Sequence, residues 1–189
     1  MDDVEKKNIL DFIRNLIGSN LINSAQDCEG VDVAIIDRNS LVDVAKSFRD
    51  NPDLRMRHLS FITAIDRIDM EKLLYAVYEF FSLDDDRRIR IKVPIVAKDP
   101  WVPSITSIFP SANWHEREMM ECFGIEVRGH PDPRKLLLPD WVTEKPLRKS
   151  FPSGGDELWA FHEKTIEMFN EKGDYAGSID DDWLERFNE

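Results

Sequence analysis

Residues 87–96, RRIRIKVPIV, alternate so strictly that they narrow the fold more than any other part of the chain. Ile89, Ile91, Val93 and Ile95 fall on one side of an extended backbone and Arg88, Arg90 and Lys92 on the other, because successive side chains of a strand point to opposite faces. Such a segment belongs in a sheet that is packed on one face and wet on the other. Two earlier segments share the strand character. HLSFITAIDRI at 58–68 offers two alternating sets, Leu59, Phe61, Thr63, Ile65 and Ser60, Ile62, Ala64, Asp66, whereas KLLYAVYEFF at 72–81 is apolar on both faces. The DDD run at 84–86 reads as a solvated hairpin tip, since adjacent carboxylates do not converge easily on a metal.

Helical and extended segments flank these strands. Val4, Ile9, Leu10, Phe12, Ile13, Leu16 and Ile17 recur at helical spacing before Gly18, which predicts an amphipathic helix over 3–17. VDVAIID at 31–37 is short and β-branched, a buried strand by preference. Ser40 with Asp43 reads as the N-cap of a second helix that runs through Phe48 and closes at Asn51-Pro52. Pro100, Pro103 and Pro110 make 98–111 an irregular connection. Asn113 followed by Glu116 reads as a capping pair for a helix that ends near Phe123, with Gly124 as its left-handed cap. The predicted fold class is α+β: a mostly antiparallel sheet with helices packed on one face, followed by an extended partner-binding C-terminal segment.

Composition excludes several functions. The 189 residues are 42% hydrophobic, enough for one real core, and the net charge of −12 argues against nucleic acid or anionic lipid as the main partner. Cys28 and Cys122 are the two cysteines and have no C-x-x-C spacing, so this chain alone does not build a zinc knuckle or an iron–sulfur cluster. No stretch approaches the ~20 apolar residues of a membrane helix. A cytosolic protein is expected, attached to a membrane only through partners if at all.

The densest chemistry lies at 114–151. His115, Glu118 and Cys122 share a helix face and invite a zinc reading, but Met119 stands where H-E-x-x-H needs its second histidine. The plain alternative is a capped helix with Arg117 paired to Glu121 at i+4. In GHPDPRKLLL, Gly129 permits a strained backbone position and the prolines fix the path from His130 to Arg134, either a rigid turn presenting Asp132 and Arg134 at set angles for recognition or, equally, a turn whose His130 and Asp132 satisfy buried backbone groups.

WHEREMMECFGIEVRGHPDPRKLLL resembles the signature of the NuoC-like family, a subunit of respiratory complex I with homologues in membrane-bound nickel–iron hydrogenases and related energy-converting complexes. Glu116, Arg117, Glu118, Glu121, Phe123, Gly124, Ile125, Gly129, His130, Pro131, Asp132, Arg134, Leu136 and Leu137 fill the family's pattern. A second block, P-L-R-K-x-F-P, is matched from Pro146 through Leu147, Arg148 and Lys149 to Pro152. The resemblance covers about residues 30–152. The link before that block, with Trp141, Glu144 and Lys145, is more like the hydrogenase-related branch.

The expected division is a sheet domain with an N-terminal helix at 1–110, a signature helix and rigid interface segment at 111–152, and an acidic C-terminal tail with a helix at 153–189. The resemblance implies a non-catalytic structural subunit, without a cofactor of its own, in the peripheral arm of a membrane-bound respiratory oxidoreductase at the cytoplasmic face of the membrane. The expected partners are a hydrogenase-type large subunit, iron–sulfur subunits and antiporter-like membrane subunits. Iron–sulfur clusters, and nickel–iron in a hydrogenase, would lie on those partners. Glu116, Arg117 and Glu118 would orient the loop after Gly124, while His130, Asp132, Arg134, Arg148 and Lys149 would reach the large subunit. Two readings compete with this one: a metal-dependent hydrolase built on His115, Glu118 and His130, and an acidic electron-transfer adaptor whose binding weakens steeply with salt.

Overall fold

A computed structural model describes residues 9–28, 30–84, 86–138, 142–152 and 167. The chain divides into two units, Met1–Arg148 and Lys149–Glu189, and the architecture below is that of the first. The expected helix at 156–169, the rest of the acidic tail, residues 3–8 of the first helix, Asp85 of the acidic tip and Pro139, Asp140 and Trp141 of the link lie outside the described residues.

Helix α1 (Ile9–Ile17) is followed by strands β1 (Leu21–Gln26) and β2 (Asp32–Ile36), helix α2 (Leu41–Asp50) and strand β3 (His58–Arg67). The short helix α3 (Ile68–Glu71) leads to β4 (Leu73–Phe81) and β5 (Arg88–Val96). Beyond them come β6 (Trp101–Pro103), helix α4 (Ala112–Phe123) and β7 (Glu126–Arg128). The main sheet has the order β1-β2-β5-β4-β3. All its pairs are antiparallel except β2 with β5. β3, β4 and β5 form a meander that returns to meet β2, so the connection through α2 must carry the chain across the sheet before the meander begins.

Register explains which side chains are inside. Ile89, Ile91, Val93 and Ile95 of β5 oppose Phe80, Tyr78, Ala76 and Leu74 of β4, and all eight are buried. Fully burying one of these isoleucines contributes about 1.5–3 kcal/mol. The same hydrophobic cluster takes in Ile9 and Ile13 of α1, Leu41, Val44 and Phe48 of α2, and Met119 and Phe123 of α4, which places the long helices on one face of the sheet. The Phe80 ring is gripped from two sides, by Phe48 at 5.2 Å and Phe109 at 5.3 Å between centroids. On the opposite face Arg90 donates to Glu79, its neighbour across the strand pair, at 2.7 Å, and to Asp27 at 3.1 Å.

Neither alternating set of β3 is buried as a whole. The register shifts between Leu59 and Phe61, leaving Ser60 as the extra residue, so the buried row is Leu59, Ile62, Ala64 and Asp66. A bulge of this kind reverses the phase of a strand without interrupting it.

Several local expectations are corrected. β1 pairs with β2 at the sheet's edge, although LINSAQ lacks an apolar alternation that would have announced it. The connection 98–111 contains β6, whose Trp101, Val102 and Pro103 pair in parallel with Glu126, Val127 and Arg128 of β7. Ser40 precedes α2 but does not cap it: its hydroxyl accepts from the Asn20 side-chain amide at 3.0 Å. Asp37 caps the 3-10 turn that feeds the helix instead, accepting the Asn39 N–H at 2.9 Å.

Candidate functional site: a strap held by helix α4

The segment from Gly129 to Arg148 has little regular secondary structure, so its peptide groups need partners from elsewhere. Helix α4 supplies many of them, and the charged signature residues are the means. Glu116 is fully buried and does not cap the helix with Asn113. Its carboxylate accepts from Ser104 Oγ at 2.6 Å, Thr106 Oγ1 at 2.8 Å and the Ile105 N–H at 2.8 Å, pinning the turn that leaves β6. Successive backbone bonds, Phe109 N–H to Ile105 O and Ala112 N–H to Phe109 O, carry that turn into α4, so a side-chain cap is replaced by continuous winding.

Arg117 does not pair with Glu121. It donates through Nε to the carbonyl of Arg134 at 2.8 Å and through Nη2 to that of Lys135 at 2.7 Å, and Nη1 stands 3.7 Å from the Asp132 carboxylate. One turn further on, Glu121 accepts the N–H groups of Leu136 at 3.1 Å, Leu137 at 2.9 Å and Leu138. The helix thus offers a fork of donors to two carbonyls and a carboxylate to the next amides, a division that matches the polarity of the peptide groups.

His130 is turned inward, its side chain only 1% exposed. Its Nδ1 accepts the Asp132 N–H at 3.0 Å, which assigns the proton to Nε2, and Nε2 donates to the Asn113 carbonyl at 3.2 Å. Glu116 Oε2 lies 3.8 Å from that nitrogen. Gly129, at φ +84°, makes the bend that brings the ring in. Asp132 in turn holds Arg134, accepting from Nε at 2.7 Å and Nη2 at 2.8 Å, and this pairing keeps its carboxyl well below the usual carboxylate range.

The far end of α4 is closed by the second signature block. Gly124 is left-handed at φ +67°, and a Cβ there would stand 3.0 Å from Lys145 Cε. The Leu147 N–H reaches the Cys122 carbonyl at 3.2 Å and Arg148 Nε reaches that of Phe123, groups that a helix end leaves open. Arg148 therefore faces its own chain, and burial lowers its guanidinium from the usual value against the charge of Asp66. Lys135 Nζ donates to the Val142 carbonyl. Phe123 is core, Pro131 and Arg134 are exposed, and Glu118 and Pro146 are half-buried. Lys149 belongs to the second unit and is exposed.

The chemistry fits anchoring. Among the described residues no three His, Cys, Asp or Glu side chains gather as a metal site, and His115, Glu118 and His130 are not brought together as one. Burial and the charges of Glu121 and Glu118 push the Cys122 thiol up, away from thiolate nucleophilicity. Ser104, Thr106 and Asn113 are structural members of the site that periodicity did not indicate. A third support is the Trp101 ring, which has the guanidinium carbons of Arg38 and Arg128 each 4.0 Å from its centroid. Asp99 pairs with both arginines, at 3.4 and 3.7 Å, fastening β6 and β7 to the turn before α2.

Glu121 carries a pH-dependent part of this arrangement. Burial disfavours its charged form, but the N–H groups of Leu137, Leu138 and Leu136 and the charge of Lys135 outweigh that and hold its carboxyl below the ordinary value. A depressed folded value stabilises above the unfolded value, about 4.3, and the contribution is lost as pH falls through the folded one. Glu121→Gln is therefore expected to flatten the fall of melting temperature below about pH 4. Melts of both proteins from neutral to acid pH test this, and superimposable acid limbs would contradict it.

Known proteins are similar to this chain. A chain from Roseiflexus sp. (strain RS-1), described as a C-type subunit of NADH-quinone oxidoreductase, is 33% identical over 155 residues, covering 82% of this chain and 88% of its own length. The protein of the same description from Ruegeria pomeroyi is 43% identical over 125 residues, 66% of this chain and 60% of its own. Two solved structures share the fold. A trypsin-resistant fragment of Nqo5 has a TM-score of 0.57 at 22% identity over 66% of this chain and 98% of its own. A chain in the membrane-bound sulfane sulfur reductase, an archaeal respiratory membrane complex, has 0.61 at 18% identity over 84% and 91%. Residues 34–157 match the family model described as the 30 Kd subunit of the respiratory-chain NADH dehydrogenase, and the chain belongs to that family.

Proposed function

We propose that this chain is a non-catalytic structural subunit in the peripheral arm of a membrane-bound respiratory oxidoreductase, docking on a hydrogenase-type large subunit and supporting electron transfer coupled to ion translocation. The observation that carries the reading is the use of Glu116, Arg117 and Glu121: Glu116 pins the turn that leads into α4, and Arg117 and Glu121 hold the backbone of the strap. Charges engaged in this way are well placed to keep an interface rigid. Iron–sulfur clusters, and nickel–iron in a hydrogenase, belong on the partner subunits. In this reading the chain attaches at the cytoplasmic face through partners; among the described residues no helix is long and apolar enough to cross a membrane. The form of the link before Pro146 favours the hydrogenase-related branch, and the fold shared with a sulfane sulfur reductase chain is compatible with it.

Affinity purification of the tagged chain from its native membranes in gentle detergent, with mass spectrometry and metal analysis, tests the assignment. The expected result is co-purification with a hydrogenase-like large subunit, iron–sulfur proteins and antiporter-like membrane chains, with nickel marking a hydrogenase. Recovery of the chain alone with stoichiometric zinc would replace this reading with the hydrolase.

A further inference from the structure

We infer that the open edge of the Arg134 guanidinium receives a carboxylate of the partner protein, on a docking face that also presents the exposed apolar side chains held on α4 and the strap. This rests on the docking role proposed above and names the chemistry of what docks.

The Arg134 side chain is 82% exposed and yet fixed. Asp132 binds it through Nε and Nη2, and the same carboxylate accepts the Arg134 N–H at 3.3 Å. Arg117 takes its carbonyl, and Asp132 is itself tied through His130 to the Asn113 carbonyl inside the site. An exposed arginine ordinarily keeps its rotamer freedom, because a surface ion pair returns little against the entropy lost. Here the pose is set before a partner arrives, which lowers the cost of recognition. Asp132 occupies the Nε/Nη2 edge. The end-on edge of Nη1 and Nη2 carries no bond among the described residues, and its two parallel N–H groups match the two oxygens of a carboxylate.

Exposed apolar side chains on α4 and the strap are also held in place. Trp114, Leu137 and Leu147 are 61%, 64% and 50% exposed. The Trp114 ring lies 5.4 Å from the Arg117 guanidinium carbon, while Leu137 and Leu147 are fastened to α4 through Glu121 and the Cys122 carbonyl. Arginine and tryptophan are residue types on which binding energy concentrates. Charge selects the partner. The open guanidinium edge offers positive charge in a chain whose net charge is −12. That edge suits a carboxylate on a protein surface, whereas the chain as a whole is repelled by anionic lipid.

The test compares Arg134→Gln, Arg134→Lys and Leu137→Asp in the tagged full-length chain expressed in its own membranes, reading the large subunit recovered at physiological salt. Arg134→Gln is expected to lower recovery about tenfold, Arg134→Lys to restore only part because a point charge lacks the fork, and Leu137→Asp also to fail. Unfolding of the purified Arg134 variants should match the parent, since the side chain is exposed. Normal recovery with Arg134→Gln but loss with Leu137→Asp would overturn the carboxylate contact and leave docking standing. Normal recovery with both would overturn docking as well. Flotation of the wild-type chain with phosphatidylglycerol vesicles, abolished by Arg134→Gln, would reassign the guanidinium to a lipid phosphate.

Discussion

Glu116→Ala is expected to lower the melting temperature by about 6–12 °C, from a loss of about 3 kcal/mol at roughly 2–4 °C per kcal/mol for a unit of this size. The carboxylate is fully buried and serves three donors, Ser104 Oγ, Thr106 Oγ1 and the Ile105 N–H. Alanine leaves the buried Ile105 N–H and the hydroxyls of half-buried Ser104 and Thr106 without this acceptor, and for a buried donor the penalty exceeds the net worth of the bond itself. Glu116→Gln is the discriminating control. Its amide oxygen can still accept from Ile105, and its NH2 can donate to hydroxyls that turn around, so most of the stability should return. An alanine variant that melts within about 2 °C of the parent would refute a central role for this carboxylate.

Arg117→Lys is expected to release the strap while leaving the sheet intact. Lysine keeps the charge but cannot span the carbonyls of Arg134 and Lys135, which Arg117 reaches at 2.8 and 2.7 Å. Losing about 2–3 kcal/mol of charged hydrogen bonding should speed hydrogen exchange at the Leu136, Leu137 and Leu138 amides about 100-fold. Ala76 and Tyr78 in the middle of β4 should exchange as in the parent. If the strap amides kept their protection in the lysine variant, the guanidinium would be dispensable and Glu121 alone would anchor the segment.

Both predictions concern residues whose importance was legible but whose partners were not. Helical spacing sets Arg117 and Glu121 at i, i+4, where an exposed pair gains about 0.3–0.5 kcal/mol. The folded chain brings in a strap whose peptide groups lack secondary-structure partners, and satisfying those outweighs the local pair. His130 shows the same competition: the proline-built turn was readable, yet its ring faces inward because Asn113 and Asp132 complete its two bonds. Arg134 and Arg148 looked equivalent as basic residues of the two signature blocks. Arg148 closes the end of α4 while Arg134 stands in solvent, a difference set by where each backbone lies.

By itself the sequence determined whatever depends on short-range periodicity and special backbone geometry. The alternation of β5, the two-faced burial of β4, the extent of α4 and the left-handed Gly124 follow from side-chain spacing and from the steric freedom of glycine. The signature residues identified the family. Tertiary structure alone decided the bulge at Ser60, the edge strand β1, the parallel pairings of β2 with β5 and β6 with β7, and the partner of every buried charge. Those outcomes depend on hydrogen bonds between residues far apart in the chain, where satisfying a buried polar group is worth more than any local preference.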